Sequence, residues 1–364
     1  MNKWWIRLWI IVCLSCTLSA CERRLLVDVS DKVRVRVVIK TKNVLNVTTG
    51  KYNEKIPVPD ILPKIIRVIF YDCDTKGIAS QAFISNRGYD EEGNLYLEGD
   101  VSVLPGTYDM LCYNFDTPST LVKDEKTWNS ITAYTSEISD YLYSRTESLN
   151  ERGMPPIYYK PDHLVVARER SLVIPDHSEM ITIQTDASTI IDTYYIQIRL
   201  VNGKYTSNAS AFLTDLSPSN KFGLNKRNND VYSGIFFEMD RSIDPHIRSS
   251  NQEVLYAVFN TFGKRPEETR TEEESQLFVT FNVMTTYGKK VEMTIDMDSI
   301  FQTQDATKRH WLLIDKELVI PMPPDDGGDN GGSDSDDDNG GSNSGGGFKP
   351  SVDKWEKEEG YIEL

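Results

Sequence analysis

The stretch KVRVRVVIK, Lys32–Lys40, decides the fold. Val33, Val35, Val37 and Ile39 alternate with Lys32, Arg34, Arg36 and Lys40, and only Val38 falls on the charged side. A period of two places one face in a core and the other in water, which is a half-buried β-strand. Strand-like runs recur at Ile65–Cys73, Leu95–Leu104, Thr107–Phe115, Met180–Thr185, Tyr194–Val201, Val254–Phe262, Leu277–Met284, Val291–Met297 and Trp311–Ile320. Turn residues separate them. Asn202-Gly203 predicts a two-residue hairpin, Gly288 divides another pair of runs, and Pro105-Gly106 splits a third. Only TAYTSEISDYLYSRTESL, from Thr132, has helical spacing, through Tyr134, Ile138, Tyr141 and Leu142. Many strands and one short helix imply a mainly β, largely antiparallel protein. Its length fits two β-sandwich domains.

Outward from this core, both ends of the chain have their own character. Lys3 and Arg7 precede the apolar run Leu8–Leu14, which is too short to span a membrane. Leu18-Ser19-Ala20-Cys21 follows. These residues match the lipobox of bacterial lipoproteins: signal peptidase II recognises Leu18, Ser19 and Ala20, and the Cys21 thiol carries the lipid. Each buried methylene contributes about 0.8 kcal/mol, so two or three acyl chains hold a protein on a membrane. At the other end, Asp325–Gly347 contains only Asp, Gly, Ser and Asn and reads as a disordered linker. Phe348–Leu364 then carries Val352, Trp355, Tyr361, Ile362 and Leu364, a candidate strand-pairing element. The expected organisation is a signal peptide over 1–20, sandwiches over 21–176 and 177–324, a linker over 325–347 and the terminal strand-like element over 348–364.

Charge and motifs exclude several functions. The net charge is −15, with seven of the negative charges in the linker, and this argues against nucleic acid as a partner. His163, His177, His246 and His310 are scattered, and no HExxH, GxSxG, P-loop or GxGxxG pattern occurs. Asp334, Asp336 and Asp338 have the first spacings of a calcium loop. Asn339 replaces its glycine, however, and Gly345 replaces its bidentate glutamate, so no metal is expected. Asn46-Val47-Thr48 and Asn208-Ala209-Ser210 match the glycosylation sequon, with no reason to expect its use in a bacterial lipoprotein. Cys73 and Cys112 remain after the signal and Cys21; a bridge and two free thiols are both open.

Several phrases carry a resemblance: CERRLLVDVSDKVRVRV, LPGTYDMLCYN, IQIRLVNG, LYAVFNTFG, LFVTFNV, HWLLIDKELVIPMPP and GGGFKPSVDKWEKEEGYIEL. Together they resemble the fimbrillin-like lipoproteins of Bacteroidales, which include type V fimbrial anchors and accessory subunits. The resemblance implies two transthyretin-like sandwiches, outer-membrane attachment and a non-catalytic role in fimbrial anchoring or adhesion. It implies partnership with the membrane through the lipid and with other subunits by strand pairing, and no cofactor. In that family an Arg-specific cut after the first strand frees a groove for a neighbour's strand. The loop after Ile39 holds Lys but no Arg before Arg67, so retention of the first strand, as in an anchor, is expected. The alternative is a monomeric surface lipoprotein that binds glycan for uptake, with Trp128, Trp311 or Trp355 stacking on sugars.

Overall fold

The alternating stretch forms β1 (Lys32–Ile39), with Val33, Val35, Val37 and Ile39 fully buried. It lies inside a sheet. β1 runs antiparallel to β5 (Leu95–Ser102) on one side and parallel to β11 (Ile181–Thr189) on the other. The full order is β3 (Ile78–Ile84), β2 (Ile66–Asp72), β6 (Gly106–Asn114), β10 (Val165–Ile174), β11, β1, β5, β4 (Asn86–Tyr89). Two strands turn corners. β11 pairs with β1 through Ile181–Ala187 and with β10 through Ser188 and Thr189. β3 and β4 are separated only by Ser85, yet β3 pairs with β2 and β4 with β5. The sheet therefore folds into two layers around Val35, Val68, Phe70, Met110 and Cys112.

A second sheet repeats the plan: β19 (Lys290–Asp296), β18 (Phe278–Thr285), β13 (Thr206–Leu216), β16 (Ser233–Ile243), β17 (Glu253–Thr261), β12 (Asp192–Val201), β20 (Trp311–Val319). Here β16 is the corner, pairing with β13 through Ser233–Met239 and with β17 through Asp240–Ile243. Ile196, Leu213, Phe237, Phe259, Phe281 and Leu312 fill the space between the layers, and Phe237 stacks on Phe259 at 4.2 Å. β9 (Ile157–Tyr159) adds to β16 in parallel. In each half the first strand lies parallel to the last: β1 to β11, and β12 to β20.

A small sheet welds the halves: β15 (Lys226–Arg227), β14 (Ser219–Lys221), β8 (Thr132–Tyr134), β7 (Leu121–Lys123). β14 comes from the second half and β8 from the first, and they pair. Beneath them Ile69, Tyr71, Tyr113, Trp128, Phe222 and Phe262 form one cluster. The strands approach so closely that a Cβ on Gly223 would lie 2.0 Å from the carbonyl oxygen of Trp128, so only glycine fits. The body up to Pro323 is one compact unit. The structure, a computed structural model, describes residues 32–40, 44–48, 62–138, 155–176, 180–228, 233–243, 252–265 and 277–324.

The mainly β, two-sandwich expectation holds, with four differences. β11 belongs to the first sandwich, so the chain crosses between sandwiches at Ile190–Ile191 and not at 176/177. Asn202 does adopt a left-handed turn (φ 60°), but β12 and β13 are not paired; the turn arches from one layer to the other. The same is true of Pro105-Gly106 between β5 and β6, whereas Gly288 (φ 83°) closes a true hairpin between β18 and β19. The expected helix begins instead as β8, and Glu137 bridges to Tyr158; the run beyond Ile138 lies outside the described residues up to Met154. Short helices α1 (Asp298–Phe301) and α2 (Gln304–Arg309) occur elsewhere. Both are too short to leave a periodic signal. Thr303 caps α2 by accepting from the Ala306 amide.

Candidate functional site

The candidate site is built from β1, the first strand among the described residues, and from the contacts that secure it. Each of the five buried side chains of β1, Val38 included, contributes roughly 1.5–3 kcal/mol by leaving water, so the strand is held by several such terms at once. Its outer face is tied as well. Arg34 pairs with Asp100 at 3.0 Å and Arg36 with Glu98 at 2.8 Å, while the Arg36 guanidinium lies 4.3 Å from the Tyr96 ring centre. Lys40 reaches Asp186 on β11.

The chain after β1 is then clamped to the second half. Val44 enters the first core and Val47 packs with Tyr195 and Trp311. Between them, Asn46 accepts from the Thr193 amide (2.9 Å) and donates through Nδ2 to Ile191 O (3.1 Å) and Asp192 Oδ1 (3.2 Å). Thr48 N donates to Arg309 O, and Trp311 Nε1 donates to Thr48 O. Asn46 thus grips the crossing between the sandwiches. As part of the Asn-Val-Thr sequon its amide nitrogen is already committed.

β19 and β20 end the second sheet, and both edges carry charge. β20 has a bulge after Ile314 that leaves Asp315, Lys316 and Glu317 exposed, and Asp315 pairs with Arg199. β19 carries Lys290 and Glu292. Charges and bulges at an edge discourage uncontrolled strand addition.

Other chemistry-bearing residues have structural roles. Cys73 and Cys112 are free thiols, and burial pushes the Cys112 thiol far above its usual range. His163 is largely buried, which lowers its pKa, with Asp162 opposing. His310 ends α2 and stacks on Tyr194 at 4.7 Å. Trp128 and Trp311 are buried, so neither offers a face to a sugar. Among the described residues no three His, Cys, Asp or Glu side chains gather as a metal site. Leu18, Ser19, Ala20 and Cys21, and Val352, Trp355, Tyr361, Ile362 and Leu364, lie outside the described residues.

Two sandwiches, each made from one sheet turned at corner strands and joined by a bridging sheet, define a double β-sandwich protein. The chain belongs to the family described as "Domain of unknown function (DUF5119)", which matches residues 20–238. It is similar to a Bacteroides ovatus protein named "Putative fimbrium anchoring subunit Fim4B", at 24% identity over 251 residues, 68% of this chain and 69% of that one. The fold is that of a solved Bacteroides ovatus structure described as a "putative adhesin": TM-score 0.51, 22% identity, 85% of this chain and 95% of that one. "The fimbrial anchor protein Mfa2 from Porphyromonas gingivalis" overlaps more loosely: TM-score 0.41, 10% identity, 79% of this chain and 90% of that one. These relatives are of the fimbrial and adhesin kind to which the sequence phrases pointed.

Proposed function

We propose that the protein is an outer-membrane lipoprotein, non-catalytic, that anchors a fimbrium or assists its assembly in adhesion. The observation that carries this reading is the placement of β1. Cys21 stands eleven positions before Lys32. A pull between a lipid on Cys21 and the body therefore acts along β1, which is paired on both sides over seven and eight register positions. A strand loaded in this direction must shear both ladders together, which suits an anchor. The related fimbrium anchoring subunit and the match starting at residue 20, next to Cys21, support the same reading. Palmitate labelling tests the lipid: Cys21→Ser should abolish incorporation and move the protein from the membrane to the soluble fraction. Unchanged labelling would refute it.

Phe348–Leu364 is, in this reading, an element that adds as a strand to a fimbrial subunit. A Gly-rich coil of 23 residues, the length of Asp325–Gly347, would span about 26 Å r.m.s. at ~5.5 Å × √n. Repulsion among its seven aspartates would extend such a coil further. Truncation after Pro324 should abolish co-isolation of fimbrial subunits from membranes while the body keeps its melting temperature. Subunits that co-isolate undiminished with the truncated chain would contradict the role of the tail.

A further inference from the structure

An exposed aromatic ledge on the first sandwich has no part in anchoring. On the outer face of the sheet, Arg67 of β2 lies between its register partners Phe83 of β3 and Tyr113 of β6. Phe115, two residues past Tyr113, is fixed by its amide donating to Ile65 O. The rings of Phe83 and Phe115 touch, with centres 5.2 Å apart, and they are 59% and 50% exposed. Ile65 beside them is 39% exposed. Elsewhere on β2 and β6 the large apolar side chains are buried, so this cluster leaves apolar surface in water that folding does not require.

The rim of the ledge is polar but uncharged in sum. The Arg67 guanidinium sits 5.7 and 5.6 Å from the two ring centres. It donates to Glu125 Oε1 (2.5 Å), to the Tyr113 hydroxyl (3.2 Å) and to Gln81 Oε1 (2.8 Å). Its charge is spent on Glu125. With Gln81 Oε1 held by Arg67, the Gln81 amide NH₂ is turned away from the guanidinium as a donor. The second carboxylate oxygen of Glu125, whose side chain is 26% exposed, is an acceptor. An anion would meet Glu125 and a cation Arg67, so the arrangement suits a neutral ligand. That ligand would have an apolar face about two rings wide and hydroxyls at its edge.

We propose that Phe83, Phe115, Gln81 and Glu125 form a binding site for a neutral sugar ring of a glycan. The apolar C–H face lies on the phenyl rings, and the hydroxyls meet the amide and the carboxylate. This gives the protein an adhesive contact of its own, and the proposal stands or falls independently of the anchoring role. The test uses the full chain on an array of immobilised neutral and sialylated glycans, at 50 and 500 mM NaCl. Binding to neutral glycans is expected, at least tenfold above the sialylated form of the same core, with no salt dependence. Phe83→Ala and Phe115→Ala should each lower it at least tenfold, and Gln81→Ala three- to tenfold. These side chains are exposed, so melting temperatures should not move; Gln81→Ala serves if a Phe variant fails to fold. The proposal is overturned if no neutral glycan binds, if the variants bind like wild type, or if binding follows negative charge. Loss of a protein partner alone in the Phe variants would also overturn it.

Discussion

Asn46 is a small residue with a large structural task. Its side chain satisfies Thr193 N, which is buried, and two acceptors at the crossing between sandwiches. Asn46→Ala would leave a buried amide unpaired, a cost of about 1–3 kcal/mol. At ~2–4 °C per kcal/mol for a body of this size, the melting temperature should fall by several degrees. Asn46→Asp should be worse above pH 5, because the new charge faces Asp192. Calorimetry that finds either variant unchanged would remove the clamp from the account. His163 provides a pH signature. Burial holds its folded pKa below the unfolded value of about 6.5, so the unfolded chain binds the proton first. Stability is therefore full above that value and falls as pH drops below it. Between pH 7.5 and 5, His163→Gln should lose less melting temperature than wild type; parallel curves would contradict this. No local pattern announces Asn46, whose partners lie some 145 residues away. Phe83 and Phe115 likewise meet only because β3 and β6 flank β2.

At the scale of elements, legibility follows regularity. β1 was readable because one face alternates cleanly. β10 escaped because a bulge between Glu169 and Leu172, with Ser171 at φ 53°, breaks its alternation. β16 escaped because its two ends pair in different layers and its far end, Asp240–Ile243, buries no side chain to continue the alternation. Tyr134 and Ile138 have helical spacing by coincidence: Tyr134 ends β8 and Ile138 docks on Ile157 and Phe212. Turn residues told where the chain reverses but not which strand it meets next, hence the arches at Pro105-Gly106 and Asn202-Gly203. The edge of β20 offers a test at this scale. Replacing Lys316 and Glu317 together by Val removes the exposed charges beside the bulge. The variant should self-associate with rising concentration in light-scattering chromatography, whereas wild type should not. A variant that stays in the wild-type state at all concentrations would deny the edge its protective role.

For the whole molecule, the expectation of two sandwiches was met, but the chain crosses between them at another place than expected. The boundary expected near 176 separates β11 from β1, its parallel partner. The break in composition there falls between β10 and β11, both strands of the first sandwich. The bridging sheet and the Trp128–Phe222 cluster make the halves one body, so a load entering at β1 is shared by both. That is the physical content of the anchoring proposal: lipid, short tether, shear-loaded strand, clamp, rigid double sandwich, and a tail for the next subunit. The most direct measurement compares cells producing wild type with cells producing Cys21→Ser, by immunogold microscopy and by the distribution of fimbrial protein between cells and medium. The account predicts that fimbriae still form in the variant but are shed into the medium. Fimbriae that remain attached to Cys21→Ser cells, in wild-type number, would contradict it.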